Sequence, residues 1–291
     1  MTISNFFKAH DKDLGGGFFV RRVLPAAAKQ AVGPFIFFDH FGPVDAPAGA
    51  NHDVRPHPHI GLATVTYLYE GAILHRDSLG SVQRIEPGAI NWMTAGSGIV
   101  HSERVPPDLA DKPRRTHGLQ LWAALPSEHE ETAPGFTHTP AHAIPVATFE
   151  GGDARVLIGS AFGHTSPVAT FSETLYLDVR LDAGSELVLS DLPEEAAIYA
   201  VDGDIFIDGE AIEPGMMAYL EPGTNARVST ATGVQFVVIG GAPLDGHRFI
   251  FWNFVSSSKE RLAQAADDWE QQRYAKVPGE TEWIPLPRPL R

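Results

Sequence analysis

The chain of 291 residues contains no cysteine. Disulfides are therefore excluded, and so is the thiolate-rich ligand set of a closed structural zinc site. No run of 18 apolar residues occurs, which leaves no candidate transmembrane helix. The opening MTISNFFKAHDKDLGGG lacks a basic segment followed by an apolar one, so no secretory leader is expected. With cysteine absent as well, a cytoplasmic location is the expectation. Positive charge is also scarce: 22 Lys and Arg stand against 36 Asp and Glu, a net charge of −14. Up to Pro145 there are 12 basic and 14 acidic residues; beyond it there are 10 and 22. An acidic field of this kind repels nucleic acid and anionic membranes unless a local basic patch opposes it. The longest basic runs are the pairs Arg21-Arg22 and Arg114-Arg115, read here as solvated surface. Direct nucleic-acid and membrane partners are not expected.

What the chain does contain is short apolar segments punctuated by Gly and Pro. Hydrophobic residues make up 43%, enough to bury substantial cores. Residues 1–20 read as an N-terminal strand and turn around Gly15-Gly16-Gly17. Pro34 to Phe38 is a buried-strand candidate, with Phe35, Phe37 and Phe38 expected in the core. Thr64 to Tyr69 alternates in the β manner, Glu70-Gly71 and Glu86-Pro87-Gly88 are turns, and Ile90 to Met93 and His117 to Pro126 are further strands. Many short strands separated by turns argue for a β-barrel or sandwich.

The chemistry concentrates between Arg55 and Arg104. Successive side chains of a strand point to opposite faces, so residues two apart share one. His57 and His59 form one such pair, and His101 and Glu103 a second, both at strand ends beside Gly and Pro. If the two strands lie side by side with these faces inward, three imidazoles and a carboxylate converge. Imidazole suits zinc, copper, iron and nickel, and a carboxylate shifts the preference towards iron or manganese. Four protein ligands on an octahedral ion leave two positions for water, a chelating substrate or O2. Fe(II) is the expected metal, with other divalent transition ions as alternatives.

Other histidines are assigned blander roles. His40 is read as a hydrogen-bonded structural histidine and only secondarily as a neighbour of the site. His52 is a further neighbour candidate. His129, His138 and His142 lie in the Pro- and Thr-rich stretch 127–145, read as a linker or crossover, and are expected at the surface. Trp92 and Met93 are expected as core, with walling of an aromatic pocket as the functional alternative; the substrate pocket itself is not assigned.

The second half repeats the first. IEPGMMAYLEPG (Ile212 to Gly223) mirrors IEPGAINWMTAG (Ile85 to Gly96), and Gly203 mirrors Gly71. Counting from these anchors places Leu189 and Val228 where His57 and His101 stand in the first half. No His-x-His occurs in the second half, so a metal-free, structural second unit is expected. The domain boundary is placed between residues 135 and 136, giving a metal-binding unit 1–135 and a metal-free unit 136–291. Near the end, Ser257-Ser258-Lys259-Glu260 has the form of a capping box, followed by Leu262, Ala266 and Trp269 on one helical face of about four turns. Trp252 and Phe254 are expected to pack this segment across a barrel.

The segments FDHFGP (Phe38 to Pro43), HPHIGLATVTYLYEG (His57 to Gly71), HRDSLG (His75 to Gly80), PGAINWMTAGSGIVHSE (Pro87 to Glu103) and LQLWAALP (Leu119 to Pro126) together resemble the pirin family of the cupin superfamily. The resemblance extends over nearly the whole chain. It implies an all-β fold of two cupin-type antiparallel barrels in one chain, a bicupin, with a short C-terminal helix and the metal in the N-terminal barrel alone. It implies the same four ligands, His57, His59, His101 and Glu103, and Fe(II) as the usual ion. Several family members resemble quercetin 2,3-dioxygenases, which open a flavonol ring with O2 and release carbon monoxide. That reading implies a small aromatic or enol substrate and O2, with Glu103 as a catalytic base for the 3-hydroxyl proton. Other members are described as non-catalytic, iron-binding interaction proteins that modulate transcription or a metabolic enzyme. The alternative is thus a redox-sensing regulator with a protein partner. Membership by itself does not choose between the two.

Overall fold

The computed structural model describes residues 2–13 and 19–287, so the glycine triplet Gly15-Gly16-Gly17 lies outside the described residues. The chain divides into two compact units, neither continuous in sequence. Residues 40–138 and 245–287 form the body of one, and residues 2–12, 20–39 and 139–244 form the other. This differs from a single boundary at 135/136. The strand Ile3–Lys8 pairs antiparallel with Met216–Leu220, setting Phe6 opposite Ala218 and supplying the edge of the second unit's sheet. The C-terminal extension packs on the histidine-bearing unit instead.

Both units use the same plan, a large antiparallel sheet and a four-stranded one. In the histidine-bearing unit the large sheet runs in the order Gly135–Thr139, Ile90–Thr94, Leu62–Glu70, Arg114–Ala124 and Phe35–Ala46, the last strand belonging to this unit from residue 40 onward. The small sheet runs Val54–His59, Ile99–Arg104, Ile73–Asp77, Val82–Ile85. In the second unit the corresponding order is Met216–Leu220, Glu195–Asp202, Val234–Gly241 and Thr174–Leu181, with the small sheet Glu186–Leu189, Ala226–Ser229, Ile205–Ile207, Glu210–Ile212. The duplication read from the sequence is therefore a duplication of topology. Its mirrored turn glycines, Gly88 and Gly215, share a φ of +81°, a left-handed conformation that side chains resist.

Leu189 and Val228 fall on the strands equivalent to those carrying His57 and His101. Both are buried in the apolar core of the second unit. The counted register is off by two residues, since Leu189 faces Ala226 and Leu187 faces Val228. Carbon thus occupies the second core where the first presents nitrogen.

Phe35, Phe37 and Phe38 are core residues, as the β-branched and aromatic run requires. The stretch 127–145 is more than a linker. It contains the strand Gly135–Thr139, and its Glu130 is buried in an ion pair with buried Arg248, 2.8 Å away. The helix Lys259–Glu270 starts one residue later than the capping box suggested: Ser258 is the N-cap, its Oγ accepting the Arg261 N–H at 3.2 Å. Ser257 N–H is instead taken by Glu130. The helix buries Leu262, Ala265 and Trp269, with Ala266 partly covered, against Ile60, Val100 and Phe254. Among the described residues no helix is long and apolar enough to cross a membrane.

Candidate metal centre

The small sheet of the histidine-bearing unit fixes the site. Ile99–Arg104 is its central ligand strand, with Val54–His59 on one side and Ile73–Asp77 on the other. His101 pairs with His57, and Ile99 with His59, so all four side chains lie on one face. The alternating residues Pro56, Pro58, Val100 and Ser102 face the other way. There the C-terminal segment covers them, with Ile284 N–H bonding Pro56 O at 2.8 Å and Ser102 Oγ bonding Glu280 at 3.0 Å. A cleft of about 220 Å³ lined by Pro56, Val100, Trp269, Tyr274 and Trp283 lies on this outer side, away from the imidazoles.

On the inner face His57, His59 and His101 each offer a ring nitrogen, and these atoms lie within 4.8 Å of one another. The Nε2 atoms of His59 and His101 are 3.1 Å apart. All three rings are buried, His57 being the most exposed at 6%. Burial pushes the His57 imidazole down to about 4, and burial with the neighbouring histidines pushes His59 and His101 well below the ordinary value. All three are neutral at pH 7, which is the form that ligates metal. His57 Nδ1 lies 2.8 Å from the Arg55 carbonyl, which can only accept, so its proton sits there and Nε2 keeps a lone pair. Three neutral, buried imidazoles that bring their ring nitrogens together form a donor set that fits a divalent ion.

Glu103 stands apart from the three. A register shift between His101 and Glu103 puts Glu103 opposite Val54, so two residues of its strand face three of the next. Its carboxylate is outside the group of mutually close donor atoms. It is half-buried, has no hydrogen-bond or ion-pair partner among the described residues, and is pushed up to about 7 by burial.

Residues not nominated from the sequence complete the surroundings. His75 lies across the sheet from Glu103 and Asp77 from His101, both buried. His75 Nε2 is 3.0 Å from Asp77 Oδ2, and its Nδ1 is 3.4 Å from His101 Nδ1. The Phe136 ring stacks on His75 at 4.2 Å, and Trp122 meets His59 edge-on at 5.2 Å, joining the small sheet to the large one. The signal was available: His75 and Asp77 are a third pair two residues apart. Of the aromatic candidates, Trp92 and Met93 are core, Trp92 Nε1–H bonding Thr94 Oγ1 at 3.1 Å. His40 is a structural histidine, buried, with its Nε2 2.7 Å from that of His117. His138 is half-buried, its Nδ1 2.7 Å from Asn91 Oδ1, and is not a plain surface histidine.

Two duplicated antiparallel β units, one holding a cluster of buried imidazoles on its inner face, define a bicupin. Residues 17–123 match the pirin family, and residues 176–275 match the pirin C-terminal cupin domain. A pirin-like protein of Caulobacter vibrioides is 46% identical, over 97% of this chain and 98% of its own length. A crystal structure of quercetin 2,3-dioxygenase from Acinetobacter baumannii superposes with a TM-score of 0.90 at 34% identity, covering 99% of this chain and 97% of the other. A second structure of that name from the same organism gives a TM-score of 0.89 at 26% identity, over 95% and 99%. The chain belongs to the pirin family.

Proposed function

We propose that the protein is a metal-dependent dioxygenase of the quercetin 2,3-dioxygenase type, cleaving the ring of a flavonol with O2. The observation that carries this reading is the convergence of three neutral, buried imidazoles beside an unpartnered carboxyl group. Similarity to solved quercetin 2,3-dioxygenases supports the substrate class. His57, His59 and His101 would hold the ion, with Glu103 as the fourth candidate ligand. Fe(II) is the assignment because imidazoles with one carboxylate suit it. When bound, the ion supplies Lewis acidity and a template that places substrate beside O2.

The rest falls to the chain. Glu103 is half-buried, and His57 is the most exposed of the three rings. An acceptor raised to about 7 is well matched to taking the 3-hydroxyl proton of a flavonol near neutral pH. As the fourth ligand, Glu103 would have to loosen from the ion to take this proton. Trp122 and Phe136, packed on His59 and His75, hold the imidazole planes and exclude water behind them.

The test is oxygen uptake and carbon monoxide release by the iron-loaded protein with quercetin. Uptake and release well above a His101→Ala control support the assignment; signals no larger than that control remove it.

A further inference from the structure

We propose that His75 and Asp77 select which ring nitrogen His101 offers to a cation, a positioning role that rests on the metal-binding reading above. The chain of contacts starts at the turn after Ile73–Asp77. Asp77 Oδ1 accepts the backbone N–H groups of Leu79 at 2.9 Å and Ser81 at 3.0 Å. That carboxylate is an acceptor only, so the 3.0 Å contact of its Oδ2 with His75 Nε2 places the proton on His75 Nε2. A neutral imidazole protonated there carries its lone pair on Nδ1.

His75 Nδ1 faces His101 Nδ1 at 3.4 Å. This is a long, weak hydrogen bond, but the alternative is two lone pairs face to face in a buried site. His101 therefore protonates Nδ1 and leaves Nε2 bare. Nε2 is the atom that lies 3.1 Å from His59 Nε2, on the side where the donor atoms converge. Stacking of Phe136 on His75, with planes only 10° apart, keeps the relaying ring in register. Asp77 itself is fully buried and touches no ligand nitrogen in the cluster, so its influence passes through His75. Outer partners of metal-bound histidines commonly set the tautomer in this way.

Asp77→Asn makes a sharp test because the turn dictates how the amide sits. Its Oδ1 must keep facing the Leu79 and Ser81 N–H groups, so its NH2 faces His75 Nε2. The relay then runs backwards: His75 protonates Nδ1, and His101 is driven to protonate Nε2. An amide replacing a carboxylate imposes the wrong tautomer on its histidine by the same logic. Two readouts are needed: long-range 1H–15N spectra of metal-free, 15N-histidine-labelled protein, and Co(II) affinity followed by the visible absorption of the bound ion. The wild type is expected to show His101 protonated at Nδ1. Asp77→Asn is expected to shift it to Nε2 and to weaken Co(II) binding about 10- to 100-fold. Adding His75→Phe, which keeps the stack on Phe136, breaks the faulty relay and is expected to recover most of that loss.

The relay is overturned if Asp77→Asn leaves the His101 tautomer unchanged, or if the double variant binds Co(II) no better than Asp77→Asn alone. A wild type that binds no Co(II) overturns the metal reading, while the nitrogen spectra still decide the tautomer.

Discussion

The Nε2 atoms of His59 and His101 lie 3.1 Å apart on two buried, neutral rings contributed by different strands. A cation between them would take a lone pair from each ring and couple the two strands. Binding should therefore stabilise the fold by mass action, about 2.7 kcal/mol at a hundredfold excess over Kd. Thermal melts under anaerobic conditions, with and without Fe(II), should show a rise for wild type and none for His101→Ala. An equal rise in both would place the ion elsewhere.

Glu103→Gln separates holding the metal from turning over substrate. Since the carboxylate stands outside the imidazole cluster, metal affinity should fall by less than about tenfold, below the loss typical of disturbed ligation. Oxygen uptake with quercetin should fall on the order of 10²- to 10⁴-fold, the usual contribution of a positioned base. Parallel loss of both would make Glu103 a ligand first.

Gly61 joins His59 and Ile60 to the next strand at φ +67°, and a Cβ there would lie 2.0 Å from the Val255 carbonyl oxygen. Gly61→Ala should cost on the order of 3 kcal/mol or more, because backbone must move as well as adopt a left-handed conformation. Gly80→Ala, at φ +91° but with open space around it, should cost only about 1–2 kcal/mol. Denaturant midpoints of the two variants test the difference.

The C-terminal strap should respond to acid. Burial alone would raise the Glu280 carboxyl, but hydrogen bonds from Arg104 and Ser102 outweigh it and hold the group below its ordinary value of 4.5. A carboxyl depressed in the folded state contributes stability that is present above 4.5 and lost as pH falls through its folded value. Protease cleavage of the tail should therefore stay slow at pH 5–8 and rise below about pH 4.5. In Glu280→Gln it should be faster at neutral pH and flatter across the acid range.

Much of this protein follows from the sequence by itself. Alternation along a strand decides which side chains share a face, so the pairs His57/His59 and His101/Glu103 were legible without coordinates. The mirrored Glu-Pro-Gly turns announced the duplication, and the apolar Leu189 and Val228 marked the half in which carbon fills the core. Alternation says nothing, however, about which strand lies alongside or in what register. Only the tertiary structure set His57 opposite His101, left the Glu103 carboxylate outside the group of mutually close imidazole nitrogens, and brought His75 and Asp77 behind His101. Only it placed Ile3–Lys8 in the second unit's sheet and the residues after Asp245 over the outer face of the ligand strands. The physical reason is range: face and turn are decided by neighbours in the chain, whereas register, strap and relay are decided by burial and hydrogen bonds between residues far apart in it.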